Sequence, residues 1–279
     1  GPYSGAAGRQ VSQYDKILRE NMEAFLPGVI KNLLDIHVIY TEELPDDVQH
    51  TKERKPDVLK KVTDNGGDTF VLHIEFQSTD EPEMVFRMAE YYIMLLRRYR
   101  IPVQQYVIYL GEDIPRMSNR IAAERMQFDY RLITLSAIDY QLFLRAESPE
   151  EKMLGILANF RDHDRLEAVA GIVKEVFMAS DGDLSRERYL FQLRILGNLR
   201  NLQSEINTIM ESVAKWWKLE RDPFYWKGEQ VGMKKGEEKK TLEVVKSLLL
   251  NTNHTIPEIA NLVNVPESFV FEVKTSLQS

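Results

Sequence analysis

The sequence predicts a mixed α/β core over residues 11–145, followed by a helical extension over 146–226 and a small helical tail. Before Ser148, short β-branched and apolar segments alternate with longer segments in which apolar residues recur every three or four positions. From Ser148 to about Trp217 only the helical repeat continues. Strands and helices first, and helices alone afterwards, are typical of an α/β domain with a helical appendage.

The core is predicted to contain a helix, three strands, a second helix and two further strands. These are the helix 12–34, the strands 35–40, 56–62 and 69–76, the helix 83–100, and the strands 103–110 and 130–135. Turn-forming residues from Asp64 to Asp68 separate the second and third strands, which we therefore expect to form a hairpin. Pro27 is expected to interrupt the first helix, because proline has no amide hydrogen.

Both ends of the chain differ in composition from the core. Residues 1–10 are rich in Gly and Ala, and we interpret them as an expression remnant. Residues 227–279 begin with glycines at intervals of four among Lys and Glu, which indicates a polar, flexible connector. Apolar-striped segments at 241–250 and 256–263, with a third helix start at Pro266, then predict a helix-turn-helix-like tail.

Composition limits the classes of function. The chain has 279 residues, of which 43% are hydrophobic and 28% charged, no cysteine, and a formal net charge of −7. These values indicate a folded soluble protein and exclude disulfides, thiolate metal sites and a cysteine nucleophile. No apolar segment approaches the length of a membrane span, so we expect a cytoplasmic protein without membrane contact. The negative net charge means that any DNA contact must use a local basic patch.

The third predicted strand, in the segment VLHIEFQS (71–78), carries polar residues at every second position. Because side chains alternate across a strand, His73, Glu75 and Gln77 share one face. We expect the apolar face to pack and the polar face to remain available for chemistry at an open edge of the sheet. In an antiparallel hairpin, Asp57 would approach Glu75, and a buried carboxylate needs a partner or an ion.

Two adjacent carboxylates form an oxygen-rich site that suits Mg²⁺ or Mn²⁺, with Ca²⁺ as a third candidate. Asp57 and Glu75 would be the side-chain ligands, and the main-chain carbonyl of Phe76 could add a third protein ligand. A metal held in this way typically keeps several waters and accepts phosphate oxygens from a substrate.

The spacing of Pro56-Asp57 and Glu75-Phe76-Gln77 resembles the PD-(D/E)XK nuclease signature, with glutamine in the usual lysine position. Four longer segments and the glycine-interrupted tail are similar to the Rpn family of recombination-promoting nucleases, also described as YhgA-like transposases. The four segments are SQYDKILRE, ERKPDVLKKV, HIEFQSTDEPEMVFRMAEYY and SPEEKMLGILANF.

This resemblance extends over most of the chain after about Val11. It implies a restriction-endonuclease-like fold and a divalent-metal-dependent DNA endonuclease that serves recombination, DNA mobility or defence against foreign DNA. It also implies that Asp57 and Glu75 are metal ligands and that Gln77 belongs to the active centre.

The glutamine raises the question of where the site obtains a positive charge. A lysine can activate water and stabilise developing charge, whereas the amide of Gln77 can only orient by hydrogen bonding. Lys61, on the same face of the second strand as the aspartate, could supply the cation, although a solvated lysine is the simpler interpretation. Arg87, Arg97 and Arg98 on the following helix could contact DNA phosphates or could be solvated helix charges.

Three further polar residues have open interpretations. His73 is either a hydrogen-bonded structural histidine or a contact to metal or phosphate. Asp15 and Glu20 on the first helix could add an acidic group to the site, although helix-surface charge is the simpler interpretation.

Two other functions compete with a nuclease. The first is a catalytically inactive nuclease-fold protein that acts as a DNA-binding or protein-interaction module. The segment from Lys227 holds seven Lys/Arg and seven Asp/Glu residues, so it lacks a basic excess and favours protein contact, including homo-oligomerisation through the helical C-terminal part. The second is a glycoside hydrolase that uses Asp57 and Glu75 as acid and base. No cluster of aromatic residues for carbohydrate binding stands near them.

Overall fold

The computed structural model describes residues 4–45, 55–221 and 232–278, with side chains over 13–45, 55–213 and 240–278. The chain divides into two compact units, Gly1–Asn159 and Phe160–Ser279. A five-stranded mixed sheet with flanking helices confirms the predicted α/β class for the first unit. Residues 1–3 of the predicted remnant and 227–231 of the predicted connector lie outside the described residues.

The first unit contains eleven α-helices and strands among its described residues. In chain order they are α1 (Ser4–Asn32), β1 (Val38–Glu43), β2 (Val58–Asp64), β3 (Thr69–Gln77), α2 (Met84–Tyr99), β4 (Val103–Tyr109), β5 (Arg120–Ala122), β6 (Gln127–Asp129), β7 (Arg131–Thr134), α3 (Tyr140–Leu144) and α4 (Pro149–Met153). The main sheet has the order β1-β2-β3-β4-β7, and β5 pairs with β6 in a separate hairpin. Strands β1, β2 and β3 are antiparallel neighbours, whereas β3-β4 and β4-β7 are parallel, so the predicted β2-β3 hairpin is confirmed.

Strand β3 is the middle strand of the sheet, and helices cover both of its faces. On one face, the ring of Phe76 lies edge-on to Phe25 of α1, with 5.8 Å between ring centroids. On the other face, the ring of His73 lies 5.0 Å from that of Tyr91 in α2. The expected open polar face on a sheet edge is therefore wrong. Because helices bury both faces of β3 along the strand, its polar side chains can meet a ligand at the carboxyl end of the strand.

Helix α1 continues through Pro27, so the predicted interruption is wrong. The missing amide hydrogen of a proline removes one helical hydrogen bond. Apolar residues on both sides of Pro27 nevertheless pack into the core, and they include Phe25, Leu26, Val29 and Ile30. Burial of such side chains stabilises by about 1.5–3 kcal/mol each, which outweighs the local loss.

The β2-β3 turn depends on one aspartate and one glycine. The Oδ1 atom of Asp64 accepts hydrogen bonds of 3.0 Å from the backbone N–H groups of Gly66 and Asp68. Gly67 has a φ of +86°, a conformation that side-chain-bearing residues rarely adopt. This turn sets the register of the hairpin and therefore the position of the residues at the far end of β2.

The second unit is helical throughout its described residues. Its α-helices are α5 (Arg165–Ala179), α6 (Gly182–Gly197), α7 (Gln203–Arg221), α8 (Gly232–Asn251), α9 (Ile256–Val263) and α10 (Glu267–Gln278). Helices are present at the three predicted C-terminal positions. The first of them, α8, has 20 residues and begins at Gly232, so the predicted connector is wrong for residues 232–240. Within the described ranges, no helix has the length and apolar character needed to cross a membrane.

Candidate functional site

The two acidic residues predicted to meet do so at the carboxyl end of β3. Strands β2 and β3 pair Val58 with Ile74, so the same register places Asp57 opposite Glu75. Asp57 is exposed as a residue, but its carboxyl turns inward. Its Oδ2 atom accepts a 2.8 Å hydrogen bond from the N–H of Phe76, and its carboxyl is hydrogen-bonded to that of Glu75.

The backbone of Phe76 faces the same acidic pair. In a β-strand, the N–H and C=O groups of one residue point to the same side. Because the N–H of Phe76 points at Asp57, its carbonyl also points to the side of β2, beyond Val58, the first residue of that strand. This orientation is compatible with the predicted role of Phe76 as a main-chain ligand, which stays a prediction.

A chain of hydrogen bonds runs from Gln105 through His73 to Glu75. Nε2 of His73 lies 2.9 Å from Oε1 of Glu75, and Nδ1 lies 3.0 Å from Nε2 of Gln105. The amide nitrogen of Gln105 also donates to the carbonyl of Met88, at 2.9 Å, so this nitrogen is the donor toward Nδ1. Because an amide nitrogen can only donate, Nδ1 of His73 accepts from Gln105, and Nε2 is the ring nitrogen that donates to Glu75. Of the two open interpretations, the structure supports the hydrogen-bonded structural histidine.

The pKa values of the two carboxyls are shifted in opposite directions. Loss of water around the Asp57 carboxyl and the negative charge of Glu75 raise the pKa of Asp57 well above its usual range. Burial also opposes ionisation of Glu75, but hydrogen bonds from His73 and Asp57 and the positive charge of Arg87 hold the pKa of Glu75 below its usual range. Asp57 thus keeps a proton that it donates to Glu75, because two adjacent carboxylates cannot both ionise without a compensating cation.

A third acidic residue lies near this pair. The half-buried Asp15 of α1 is close enough for its negative charge to raise the pKa of Asp57 further. Glu20 instead lies 3.9 Å from Lys16 on the exposed surface of the same helix. Of the two acids considered on the first helix, Asp15 is therefore the one that the fold brings to the site.

Gln77 is buried at the site and contacts Arg87. The Oε1 atom of Gln77 accepts a hydrogen bond of 3.4 Å from Nη2 of Arg87, and its Nε2 atom donates to Oγ1 of Thr79 at 3.3 Å. Gln77 is 7% exposed, whereas Arg87 is half-buried and reaches the site from the first turn of α2. The amide is therefore held between a cation and a hydroxyl.

The other candidate cations lie elsewhere. Lys61 pairs with Val71, four residues along β3 from Glu75, which corresponds to about 13 Å at about 3.3 Å per residue. Arg97 and Arg98 are exposed in the last turn of α2, about 15 Å along the helix axis from the first turn. The hypothesis that Lys61 restores the missing cation is therefore wrong.

Several residues around the site were missed from the sequence. Gln105 is a buried polar residue inside the apolar strand β4, and that pattern could have indicated it. Asp80 accepts 2.8 Å hydrogen bonds from the backbone N–H groups of Arg116 and Met117, which ties the chain after β4 to the end of β3. Burial raises the pKa of Tyr130, which also lies near the charge of Arg87, to about 12, so its hydroxyl remains protonated at neutral pH.

The residues present fit a divalent cation that takes few protein ligands. Among the described residues, no group of three or more His, Asp and Glu side chains is arranged to enclose a metal ion. The negative charge of Glu75 nevertheless raises the pKa of Asp57, so Asp57 holds its proton more tightly until a cation compensates the charge. Mg²⁺ is commonly held by one or two carboxylates with waters and phosphate oxygens, and metal binding displaces such protons.

One of the comparisons with known proteins gives a match. Residues 9–110 match the family model described as "Putative transposase, YhgA-like". No curated protein and no solved structure gives a significant match to the chain. The matched segment begins in α1 and ends directly after β4, so it includes Asp15, Asp57, Glu75, Gln77 and Arg87.

Proposed function

Because residues 9–110 match the YhgA-like transposase family, we propose that the first unit is a divalent-metal-dependent DNA endonuclease with a restriction-endonuclease-like arrangement of its sheet. The observation that carries the proposal is the hydrogen-bonded pair of Asp57 and Glu75 at the carboxyl end of the central strand. A family linked to transposition supports DNA as the substrate, with DNA mobility or recombination as the biological setting.

The roles follow from the positions of the side chains. Asp57, Glu75 and the carbonyl of Phe76 would hold Mg²⁺ or Mn²⁺, with Ca²⁺ as a binding but less reactive substitute. When bound, such a cation polarises a phosphodiester and lowers the pKa of a coordinated water. His73 fixes the Oε1 atom of Glu75, and the N–H of Phe76 fixes Oδ2 of Asp57, so both carboxyls are oriented before any ligand arrives.

The competing glycoside hydrolase does not suit this geometry. Glycosidases keep their two carboxyl groups about 5–9.5 Å apart to accommodate the sugar carbon or a water molecule. The carboxyls of Asp57 and Glu75 are hydrogen-bonded to each other, which is closer than that spacing. An acidic pair in direct contact instead suits a shared cation.

Plasmid cleavage tests the proposal. The full chain would be incubated with supercoiled plasmid and Mg²⁺, Mn²⁺ or Ca²⁺, beside the Asp57→Asn and Glu75→Gln variants. Asp57→Asn keeps an acceptor for the N–H of Phe76 but cannot ionise when a cation binds. We expect nicking with Mg²⁺ or Mn²⁺ that falls at least 100-fold in both variants, because each loses a ligand charge. Binding of Mn²⁺, followed by electron paramagnetic resonance, should weaken in parallel.

The matched control is Glu90→Gln, which removes a carboxylate from the exposed face of α2. It should cleave and bind Mn²⁺ like the unmodified protein. Metal-dependent nicking that survives Asp57→Asn would place the chemistry elsewhere. If the unmodified protein binds DNA but cleaves none with any of the three metals, the chain is a DNA-binding module with an inactive nuclease fold.

A further inference from the structure

Arg87 is a basic side chain that the fold brings to the carboxyl end of β3, where the acidic pair lies. Residues 78–83 connect β3 to α2, so the first turn of α2 returns to the carboxyl end of β3. From that turn, Nη2 of Arg87 donates to Oε1 of Gln77 and also contacts the sulfur of Met84.

The charge balance of the site leaves a role for this cation. Two ionised carboxylates balance a divalent metal, and Asp15 adds a further negative charge nearby. A phosphodiester that enters the site therefore brings a negative charge without a partner, and its hydrolysis places more negative charge on the phosphoryl oxygens. An arginine offers five N–H donors in a planar fork that matches two phosphate oxygens.

We propose that Arg87 contacts the scissile phosphate of DNA and is the catalytic cation of the site, while Gln77 is a positioning residue that holds the guanidinium. This inference rests on the proposed nuclease function and deepens it. It reassigns Gln77, because its Oε1 atom is occupied by Arg87 and its Nε2 atom by Thr79. An amide whose two ends are both engaged inside the protein is better suited to hold a neighbour than to orient water.

The chemical step needs no proton from Arg87. The oxygen of water forms a new bond to phosphorus, and the bond between phosphorus and the leaving sugar oxygen breaks. One proton of the water passes to the leaving oxygen and gives a hydroxyl, and the other is released or stays on the phosphate. No electrons are transferred. Arg87 remains protonated, since guanidinium groups do not lose their proton in proteins, and it stabilises the phosphoryl oxygens by hydrogen bonding.

Three variants separate these roles. Arg87→Gln removes the charge and keeps a hydrogen-bonding side chain. The double variant Gln77→Lys with Arg87→Gln moves a cation to position 77, whose amide oxygen now lies 3.4 Å from the guanidinium. Arg125→Gln, at an exposed position between β5 and β6, is the matched control. Circular dichroism would establish that each variant is folded.

The first readout is the cleavage rate at saturating DNA with Mg²⁺ or Mn²⁺. We expect Arg87→Gln to lower this rate by about 10²- to 10³-fold, the usual loss when one donor to a developing oxyanion is removed. The double variant should regain at least tenfold in cleavage rate over Arg87→Gln, and Arg125→Gln should stay within threefold of the unmodified protein. Mn²⁺ affinity should not decrease in Arg87→Gln, because a positive charge beside the ligands has been removed. Loss of metal binding would assign Arg87 to metal-site architecture and overturn the proposal.

The second readout is DNA affinity, measured without cleavage by fluorescence anisotropy in Ca²⁺ over a range of salt concentrations. Loss of one phosphate contact should weaken DNA binding by Arg87→Gln. It should also reduce the slope of the logarithm of the binding constant against the logarithm of the salt concentration by about one. If the unmodified protein does not cleave DNA but this reduction occurs, the phosphate contact stands and the hydrolytic function fails. If the protein cleaves DNA and Arg87→Gln changes neither rate nor affinity beyond threefold, the role of Arg87 fails and the nuclease stands.

Discussion

His73 provides the sharpest test of how the site is held in place. The imidazole makes two separate contributions: its Nε2–H donates to Glu75, and its ring packs against Tyr91 at a centroid distance of 5.0 Å. His73→Phe retains an aromatic ring and removes the donor. His73→Gln removes the ring and can place an amide N–H near the position of Nε2. The two variants therefore separate hydrogen bonding from packing.

The expected magnitude follows from the burial of the bond. His73 is 0% and Glu75 8% exposed, so the hydrogen bond ends on a buried carboxylate. A hydrogen bond to a charged group contributes about 1.5–3 kcal/mol. At about 1.4 kcal/mol for each factor of ten, loss of this orientation should weaken metal binding by about 10- to 100-fold. This range agrees with the usual effect of removing a hydrogen bond that orients a metal ligand.

Mn²⁺ titration followed by electron paramagnetic resonance measures the effect directly. His73→Phe should bind Mn²⁺ about 10- to 100-fold more weakly than the unmodified protein, because it lacks a hydrogen bond that contributes about 1.5–3 kcal/mol. The Mn²⁺ affinity of His73→Gln should lie between those of His73→Phe and the unmodified protein. Affinity within twofold of the unmodified protein in His73→Phe would refute the argument that this bond orients Glu75. Weaker Mn²⁺ binding by His73→Gln than by His73→Phe would show that packing of the ring, rather than its hydrogen bond, positions Glu75.

Two further predictions concern the contact between α1 and α4. A Cβ atom at Gly28 would overlap with the carboxylate of Glu151, which accepts a 3.0 Å hydrogen bond from Asn32. In urea denaturation, Gly28→Ala should therefore destabilise by about 1–2 kcal/mol, because loss of this partly buried hydrogen bond to a carboxylate exceeds the helical gain. In a Glu151→Ala background, the same change should stabilise by about 1 kcal/mol, and a loss there would contradict the clash. Burial raises the pKa of Glu151 above its ordinary value of 4.5, so its ionisation in the folded state opposes folding. The gain in stability from Glu151→Gln should therefore be small below about pH 4.5 and grow as pH rises through the raised pKa, and a gain that is constant with pH would exclude this cause.

The elements with strong local signals were predictable. Val103 to Leu110 is apolar or aromatic apart from two glutamines, and β4 spans Val103–Tyr109. The first strand shows where local pattern fails, because it was expected at 35–40 and lies at Val38–Glu43. Asp35 adopts a left-handed conformation, with φ of 54°, and the polar residues Thr41 to Glu43 pair with β2. An edge strand is defined by its neighbour's hydrogen bonds, so its own hydrophobic pattern does not locate it.

The candidate site was predictable to the extent that alternation and hairpin register are local properties. The spacing of Glu75 and Gln77 fixes a common face in any strand, and the turn from Asp64 to Asp68 fixes which residues of β2 lie opposite. These two facts suffice to bring Asp57 to Glu75. They do not determine which face of the sheet a helix covers, or which charged residues the fold places at the carboxyl end of β3.

The sequence by itself therefore determined the acidic pair and the α/β class, because both depend on side-chain periodicity and on pairing between neighbouring segments. Only the tertiary structure decided which cation belongs to the site, favouring Arg87 over Lys61, Arg97 and Arg98. The physical reason is that the position of an arginine on a helix depends on how that helix packs on the sheet. That packing depends on burial of both faces of β3, a property of the folded unit rather than of any segment.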